Sequence, residues 1–311
     1  MGVIGKGSAA ATTIAQVATA VAEAIDVNYE AAQSSVGQIV GYQSVGNTSF
    51  LHPFVIGRPQ MRVWTGERVP TNIVLGEKVG KTQKWEVTHN IPLDDMLSDT
   101  IGAALVKADK LGTIMRRHPD WLLAYMLVDK GTSTDAEWLS WDGLPLFSDS
   151  HVTGDNLFAS TAFTEANLAS TWAAMASYTD GRGNNLGVRP THIISSPYLE
   201  PTISKVLDTA TVNVAAGGQI DNIWSKNKYR LEHIVLPELA DRCDTNTTWY
   251  LVDASKGVMP AMHYEFRAVE RTDLSNPTDP NVFNNDELVY GAQGSDIVMA
   301  GVHQLWAKCT A

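Results

Sequence analysis

The residues best suited to chemistry lie in one stretch, Asp142-Gly-Leu-Pro-Leu-Phe-Ser-Asp-Ser-His151, with Asp155 and Asn156 just beyond it. Hydroxyl, carboxylate and imidazole are the groups that nucleophilic catalysis uses. A hydrolase serine, however, usually sits on a forced turn such as GxSxG, and that pentapeptide occurs nowhere in the chain. Ser148, Asp149, Ser150 and His151 are consecutive, so ordinary backbone cannot bring all four side chains to one point. The simpler reading is a turn after Pro145-Leu146-Phe147 whose short polar side chains bond their own backbone. Metal ligation by His151 with Asp149 or Asp155 is chemically open, but the fixed His/Cys spacing that makes such a site specific is missing.

Other candidates fail on spacing or context. Gly76-Glu-Lys-Val-Gly80-Lys81-Thr82 is one residue short of a phosphate-binding loop and leads into an alternating strand, where that loop needs a helix N-terminus. It reads as a hairpin turn with solvated lysines. Gly181-Arg-Gly183-Asn-Asn-Leu-Gly187 misses the dinucleotide fingerprint and precedes a strand, so it reads as a loop. The eight histidines are scattered, and His89, His192 and His303 fall within expected strands, where a hydrogen-bonded structural role suffices. The nine tryptophans read as core and contact residues. Asp94 and Asp95 would point about 100° apart on a helix, which suits capping charges better than a carboxylate pair. No catalytic set, metal site or cofactor is expected.

The elements around these residues form a mixed, α+β order with no internal repeat. Residues 1–50 are rich in Ala, Gly, Ser, Thr and Val, with a weak helical pattern at Ile14, Val17, Val21, Ala24 and Ile25. They read as an arm that buries little alone and orders against something else. Residues 57–91 read as a long, half-polar hairpin, with strands at Gln60–Trp64 and Arg68–Leu75 and a period of two through Trp85, Val87 and Ile91. A helix follows from Asp94 through Leu97, Ile101, Leu105, Leu111 and Met115, and Pro119 either kinks it or starts a second one that ends near Gly131. Thr164 reads as the N-cap of a helix bearing Leu168, Trp172 and Met175. Thr191–Ser195 reads as a buried strand, Pro197–Leu207 as a helix, and the last third mostly as strands: Arg230–Leu236, Trp249–Asp253, Val258–Val269, Glu287–Ala292 and Ile297–Ala307.

Bulk properties narrow the class. The 311 residues, 44% hydrophobic and 18% charged, are globular in composition and long enough for a substantial core. A net charge of −11 argues against a surface that seeks phosphates. Cys243 and Cys309 are far apart and form no CxxC pair, which suits a reducing cytoplasm. No apolar run reaches the roughly 20 residues a bilayer span needs, and no secretory signal is visible. A soluble, cytoplasmically made protein is expected, so the sequons at Asn47 and Asn246 read as bare loops.

Several pieces in this order resemble the major head subunits of Mu-like phages and prophages, a branch of tailed-phage major capsid proteins. They are Trp85-Glu-Val-Thr-His-Asn-Ile-Pro-Leu-Asp-Asp95, Arg116-Arg-His-Pro-Asp-Trp121, Trp141-Asp-Gly-Leu-Pro-Leu-Phe147 through His151 and Asn156, and Leu186-Gly-Val-Arg-Pro-Thr-His192. Trp249-Tyr-Leu-Val-Asp253, Val282-Phe283 and Tyr290-Gly291 complete the set, which spans roughly residues 60–308.

The resemblance implies the Hong Kong 97-type (Johnson) capsid fold. Residues 1–56 would be its N-terminal arm and 57–91 the extended loop across a neighbouring subunit. Residues 92–180 would form the peripheral domain with its spine helix, 181–270 the axial domain, and 271–311 the strands that return to complete the peripheral domain. Lys78, Lys81 and Trp85 on the extended loop are the expected assembly residues. The implied function is a major capsid protein that assembles into hexamers and pentamers of an icosahedral head around double-stranded DNA, in the virion and built in the bacterial host cytoplasm. The implied partners are other copies of itself, a separate scaffold or protease, a portal, decoration proteins and weakly held DNA, with no membrane. No long charged N-terminal scaffolding segment is visible, so a separate scaffold is implied, or an N-terminal segment already removed. The competing expectations are a nanocompartment shell of the same fold, a tail or baseplate component, and a hydrolase using Ser148 or Ser150 with His151.

Overall fold

The computed structural model of the chain describes all residues except 1–5, 58, 60, 62, 69–71, 95–109, 214–218, 227–228, 241 and 243–245. In chain order the strands are β1 (Val40–Ser44), β2 (Ser49–Gly57), β3 (Val74–Lys81), β4 (Gln83–Pro92), β5 (Leu157–Phe158), β6 (His192–Ser195), β7 (Thr211–Asn213), β8 (Gln219–Asp221), β9 (Glu232–Val235), β10 (Trp249–Val252), β11 (Ala261–Leu274), β12 (Glu287–Ala300) and β13 (Trp306–Cys309). The named helices are α1 (Lys6–Ala31), α2 (His118–Val128), α3 (Glu165–Ala176), α4 (Glu200–Asp208) and α5 (Pro280–Asn285). Among the described residues no helix is long and apolar enough to cross a membrane.

Two sheets make the body. A five-stranded sheet runs β5-β13-β10-β6-β9, and a four-stranded sheet runs β1-β11-β12-β4. The first is covered on both faces, which is why Trp249-Tyr-Leu-Val252 is apolar without alternation. Trp249 and Leu251 face one core with Leu168 and Met175 of α3 and Ile203 and Leu207 of α4. Tyr250 and Val252 face the other, with Leu122, Leu123, Met126 and Leu127 of α2. The second sheet is built on two long antiparallel strands, β11 and β12, with β4 added in register from Pro92↔Glu287 to Gln83↔Asp296.

Some expected elements keep their place. Thr164 caps α3 by accepting the Asn167 amide at 3.1 Å, and Pro119 sits in the first turn of α2, so it starts a helix. The helix expected from Asp94 falls mostly on residues 95–109, outside the described residues; residues 93–94 and 110–116 are helical. Cys243 also lies outside them, and Cys309 is buried as a free thiol.

The segment expected to order against something else does so within its own chain: Ala18, Val21 and Ile25 of α1 are buried against Ile91, Leu93, Leu111, Met115, Leu288 and Tyr290. Gly112 permits the approach, because a Cβ there would fall on the Ile25 carbonyl and 2.9 Å from the Tyr29 amide nitrogen. The hairpin partner of β3 is β2, from Ser49↔Lys81 outward, and the described residues of 60–64 are in no strand. Pro53 disguises β2 in the sequence, yet a strand that pairs on one side only can carry a proline. The third strand, β4, belongs to the four-stranded sheet and not to the hairpin. Strand pairing also crosses residue 270, since β11 runs through it, and the last strand, β13, pairs with β10 in place of the sheet that contains β12.

Candidate assembly surface

The motif at 142–156 folds as a buried polar network rather than a reactive site. His151 Nδ1 donates to Asp142 Oδ2 at 2.6 Å, and its Nε2 lies 3.2 Å from the Leu146 carbonyl. The ring of His303, from the turn before β13, stacks on His151 with centroids 3.7 Å apart and planes 3° from parallel. His303 in turn bonds the hydroxyls of Ser140 and Thr153 at 2.6 and 2.7 Å. Asn156 ties the loop closed: its Nδ2 donates to the carbonyls of Leu146 and His303, and its Oδ1 accepts the Ser148 amide. Ser148 Oγ accepts the Ser150 amide, and Ser150 Oγ donates to Asp149. Neither Ser148 nor Ser150 meets an imidazole, so the serine–His151 pair that a hydrolase reading of this motif requires is not formed.

The electrostatics agree. Burial pushes the Asp142 carboxyl up, but the His151 hydrogen bond and the two imidazoles outweigh it and bring it below its usual range. Burial, helped by the His151 charge, holds His303 well below the ordinary histidine value. Asp142, His151 and His303 are close enough to be considered as metal ligands. Geometry refuses it: an ion about 2.0–2.1 Å from a nitrogen of each imidazole would lie far out of both ring planes, where imidazole has no lone pair. Each ring nitrogen also already has a partner. Asp149 and Asp155, the partners the sequence offered, are not in this cluster.

A second buried carboxylate, Asp296 of β12, joins α2 to the long sheet. It accepts from His118 Nε2 at 2.9 Å and from His263 Nε2 at 2.8 Å. Burial would raise this carboxyl, and the two histidine hydrogen bonds hold it below the usual range instead. Nothing local in the sequence marks this trio, because its members come from three elements.

Among the described residues, the β2–β3 hairpin and the segment between its strands carry a run of exposed apolar side chains. The ladder exposes Leu51, Leu75 and Val79, and beyond the ladder Met61 is fully exposed while Val63 and Trp64 are 84% and 74% exposed. Exposed apolar side chains close together along the chain make this segment a candidate contact surface. The expected residues separate here. Lys78 is half-buried, donates to the Leu139 carbonyl at 3.2 Å, and is lowered by burial to about 8. Lys81 is exposed at the hairpin base beside Asp135 and Glu137. Trp85 is half-buried on β4, donates its indole N–H to the Asp296 carbonyl at 3.1 Å, and meets Trp121 and Tyr125 of α2 edge-on. It lines an apolar pocket of about 410 Å³ with Val87, Ile114, Met115 and Trp121, rimmed by Glu86 and Arg117. The structure therefore does not gather Lys78, Lys81 and Trp85 at one point. Met61, Val63 and Trp64 were expected within a strand, Gln60–Trp64, and so were not singled out as contact residues.

Residues 76–297 match a family described as phage capsid protein. No curated protein matches the sequence. Among solved structures the chain is similar to the procapsid of bacteriophage JBD30, at 18% identity and a TM-score of 0.51 over 94% of this chain and 74% of that one. It is similar to a Mycobacterium phage Cain structure at 15% identity and a TM-score of 0.55, over 86% and 84% of the two chains. A virus-like particle from Pyrococcus furiosus gives 10% identity and a TM-score of 0.52 over 93% and 98%. At these identities the likeness is one of fold, the Hong Kong 97-type α+β capsid fold.

Proposed function

The chain belongs to the phage capsid protein family, and from that membership we propose how it builds a shell. It is a tailed-phage major capsid protein, a structural subunit of the virion head and not an enzyme. Copies associate into capsid oligomers; the proposal is that these are hexamers and pentamers of an icosahedral head around double-stranded DNA. Within the family, the ordered motifs favour the Mu-like head subunits. The body carrying β9, β10 and α4 serves as the axial part, the long sheet with α2 as the peripheral part, and the hairpin as the loop that reaches a neighbour. Lys81 and the rim of the Trp85 pocket are offered to that neighbour, and Lys78 holds the hairpin down from within. A scaffold or protease, a portal and decoration proteins are the further partners. The net charge of −11 leaves packaged DNA mobile, because few cations are available to release its counterions.

One observation carries this reading: the hairpin ends in exposed Met61, Val63 and Trp64 that its own chain leaves in water. A knob on one face that is met by a different face of the next copy makes a heterologous contact, and such contacts generate rings when the rotation between copies closes. Replacing residues 58–71 with Asn-Gly, which leaves a four-residue loop between the last paired residues Gly57 and Val74, tests it. A folded subunit that forms no particles is the expected result, and particles of normal yield would refute the reading.

A further inference from the structure

A hairpin that meets the same place on every neighbour must leave its own subunit at one angle, so whatever holds its neck sets the geometry of the contact. The neck is held by the turn at 180–184. β2 carries a bulge between Val55 and Gly57, so Ile56 is the extra residue and its carbonyl is left out of the ladder. The Gly181 amide donates to that carbonyl at 2.8 Å. Arg182 then crosses the hairpin. Its stem lies over Gly57, where a Cβ would come within 3.1 Å of it, and its Nη2 donates to the Asn72 carbonyl, just ahead of β3, at 3.0 Å. One turn thus grips a backbone carbonyl on each side of the neck, at the outer end of the ladder.

The turn is itself stiff. Buried Asp180 accepts from the amides of Arg182 and Asn184 at 2.9 Å and from Asn184 Nδ2 at 3.2 Å. Gly183, at φ +81, closes it in a conformation that favours glycine. Its foundation is the motif at 142–156: the Thr179 amide donates to the carbonyl of Thr153, whose hydroxyl bonds His303. Trp141, stacked on the other histidine contact at His303, stands beside Gly181, where a Cβ would lie 3.3 Å from its ring.

We infer that the Asp180–Asn184 turn is a clip, buttressed by the His151–His303 stack, that fixes the direction of the hairpin tip and through it the curvature of the shell, with Arg182 as the positioning residue. This rests on the reading of the hairpin as an intersubunit element. Arg182→Ala tests it, and because Arg182 is exposed the variant keeps its core. The expected result is an unchanged melting temperature, faster amide exchange in residues 74–76, and particles that still form but lose their single diameter. Gly181→Val, whose side chain meets Ile56, is the second variant and should give the same heterogeneity. Uniform particles of wild-type diameter from both variants would overturn the clip. A folded Arg182→Ala subunit that forms no particles would also overturn it, since the clip would then serve the contact itself and not its angle. The excision of residues 58–71 reports separately on whether the hairpin is an interface at all.

Discussion

Trp64→Ala isolates the energy that the hairpin tip brings to assembly. A tryptophan side chain offers about 150–250 Å², and 74% of Trp64 is in water in the single subunit. At about 25 cal/mol per Å², withdrawing that exposed part on a neighbour gains at most roughly 3–4.5 kcal/mol. Ordering the side chain and incomplete desolvation reduce this to about 2 kcal/mol per contact. Each subunit gives one tip and receives one, so the loss applies once per subunit. At 1.4 kcal/mol per factor of ten, the protein concentration needed for assembly rises about 30-fold. The fold is spared, because an exposed side chain usually changes stability by no more than about 0.5 kcal/mol. Light scattering against concentration measures the threshold, and thermal melting of the unassembled subunit supplies the control. A threshold equal to the wild type, with the melting temperature equal too, would show that Trp64 stays in water in the shell and would refute the reasoning.

Three further expectations concern the body. Gly112→Ala drives a methyl group into the α1 backbone at Ile25 and Tyr29, and should destabilise the subunit by about 1–3 kcal/mol, with faster amide exchange in Ala18–Ile25; an unchanged denaturation midpoint would show that α1 is not held there. Buried His52, with Tyr264 Oη 2.6 Å from its Nδ1, is lowered to about 4 by burial and by the Lys78 charge. Its folded value lies below the unfolded one, so the fold favours the neutral ring, and that contribution is complete above pH 6.5 and lost as pH falls towards 4. The loss is about 3 kcal/mol, so the melting temperature should fall through that window, and His52→Asn should flatten the slope; an identical slope would refute the assignment. Because the His151 and His303 rings are parallel, a zinc chelator should leave the melting temperature of the subunit unchanged, and a fall on chelation that zinc reverses would show a metal at Asp142, His151 and His303.

What could be read from the sequence was local. The period of two in Trp85, Val87 and Ile91, the Thr164 cap, the Pro119 helix start and the apolar run at Trp249–Val252 each follow from neighbouring residues, and each is where it was expected. β2 was missed because Pro53 argues against a strand, and only its single-sided pairing makes the proline harmless. The docking of α1 depends on a glycine more than 80 positions away, at Gly112, whose reason appears only when Ile25 is laid against it. The SDSH turn could be recognised as architecture, but what it supports could not, since His303 comes from the far end of the chain and Asp180 from a loop that looked idle. Long-range pairing of polar groups leaves no periodicity in the sequence, whereas a strand face or a helix cap does.

Electron microscopy of the purified full-length chain tests the central claim most directly. The account predicts closed particles, or rings of five and six subunits, with the hairpin tip of each copy seated on the next. A chain that stays monomeric or dimeric at every concentration, including when co-expressed with the other head genes of its phage, would contradict it.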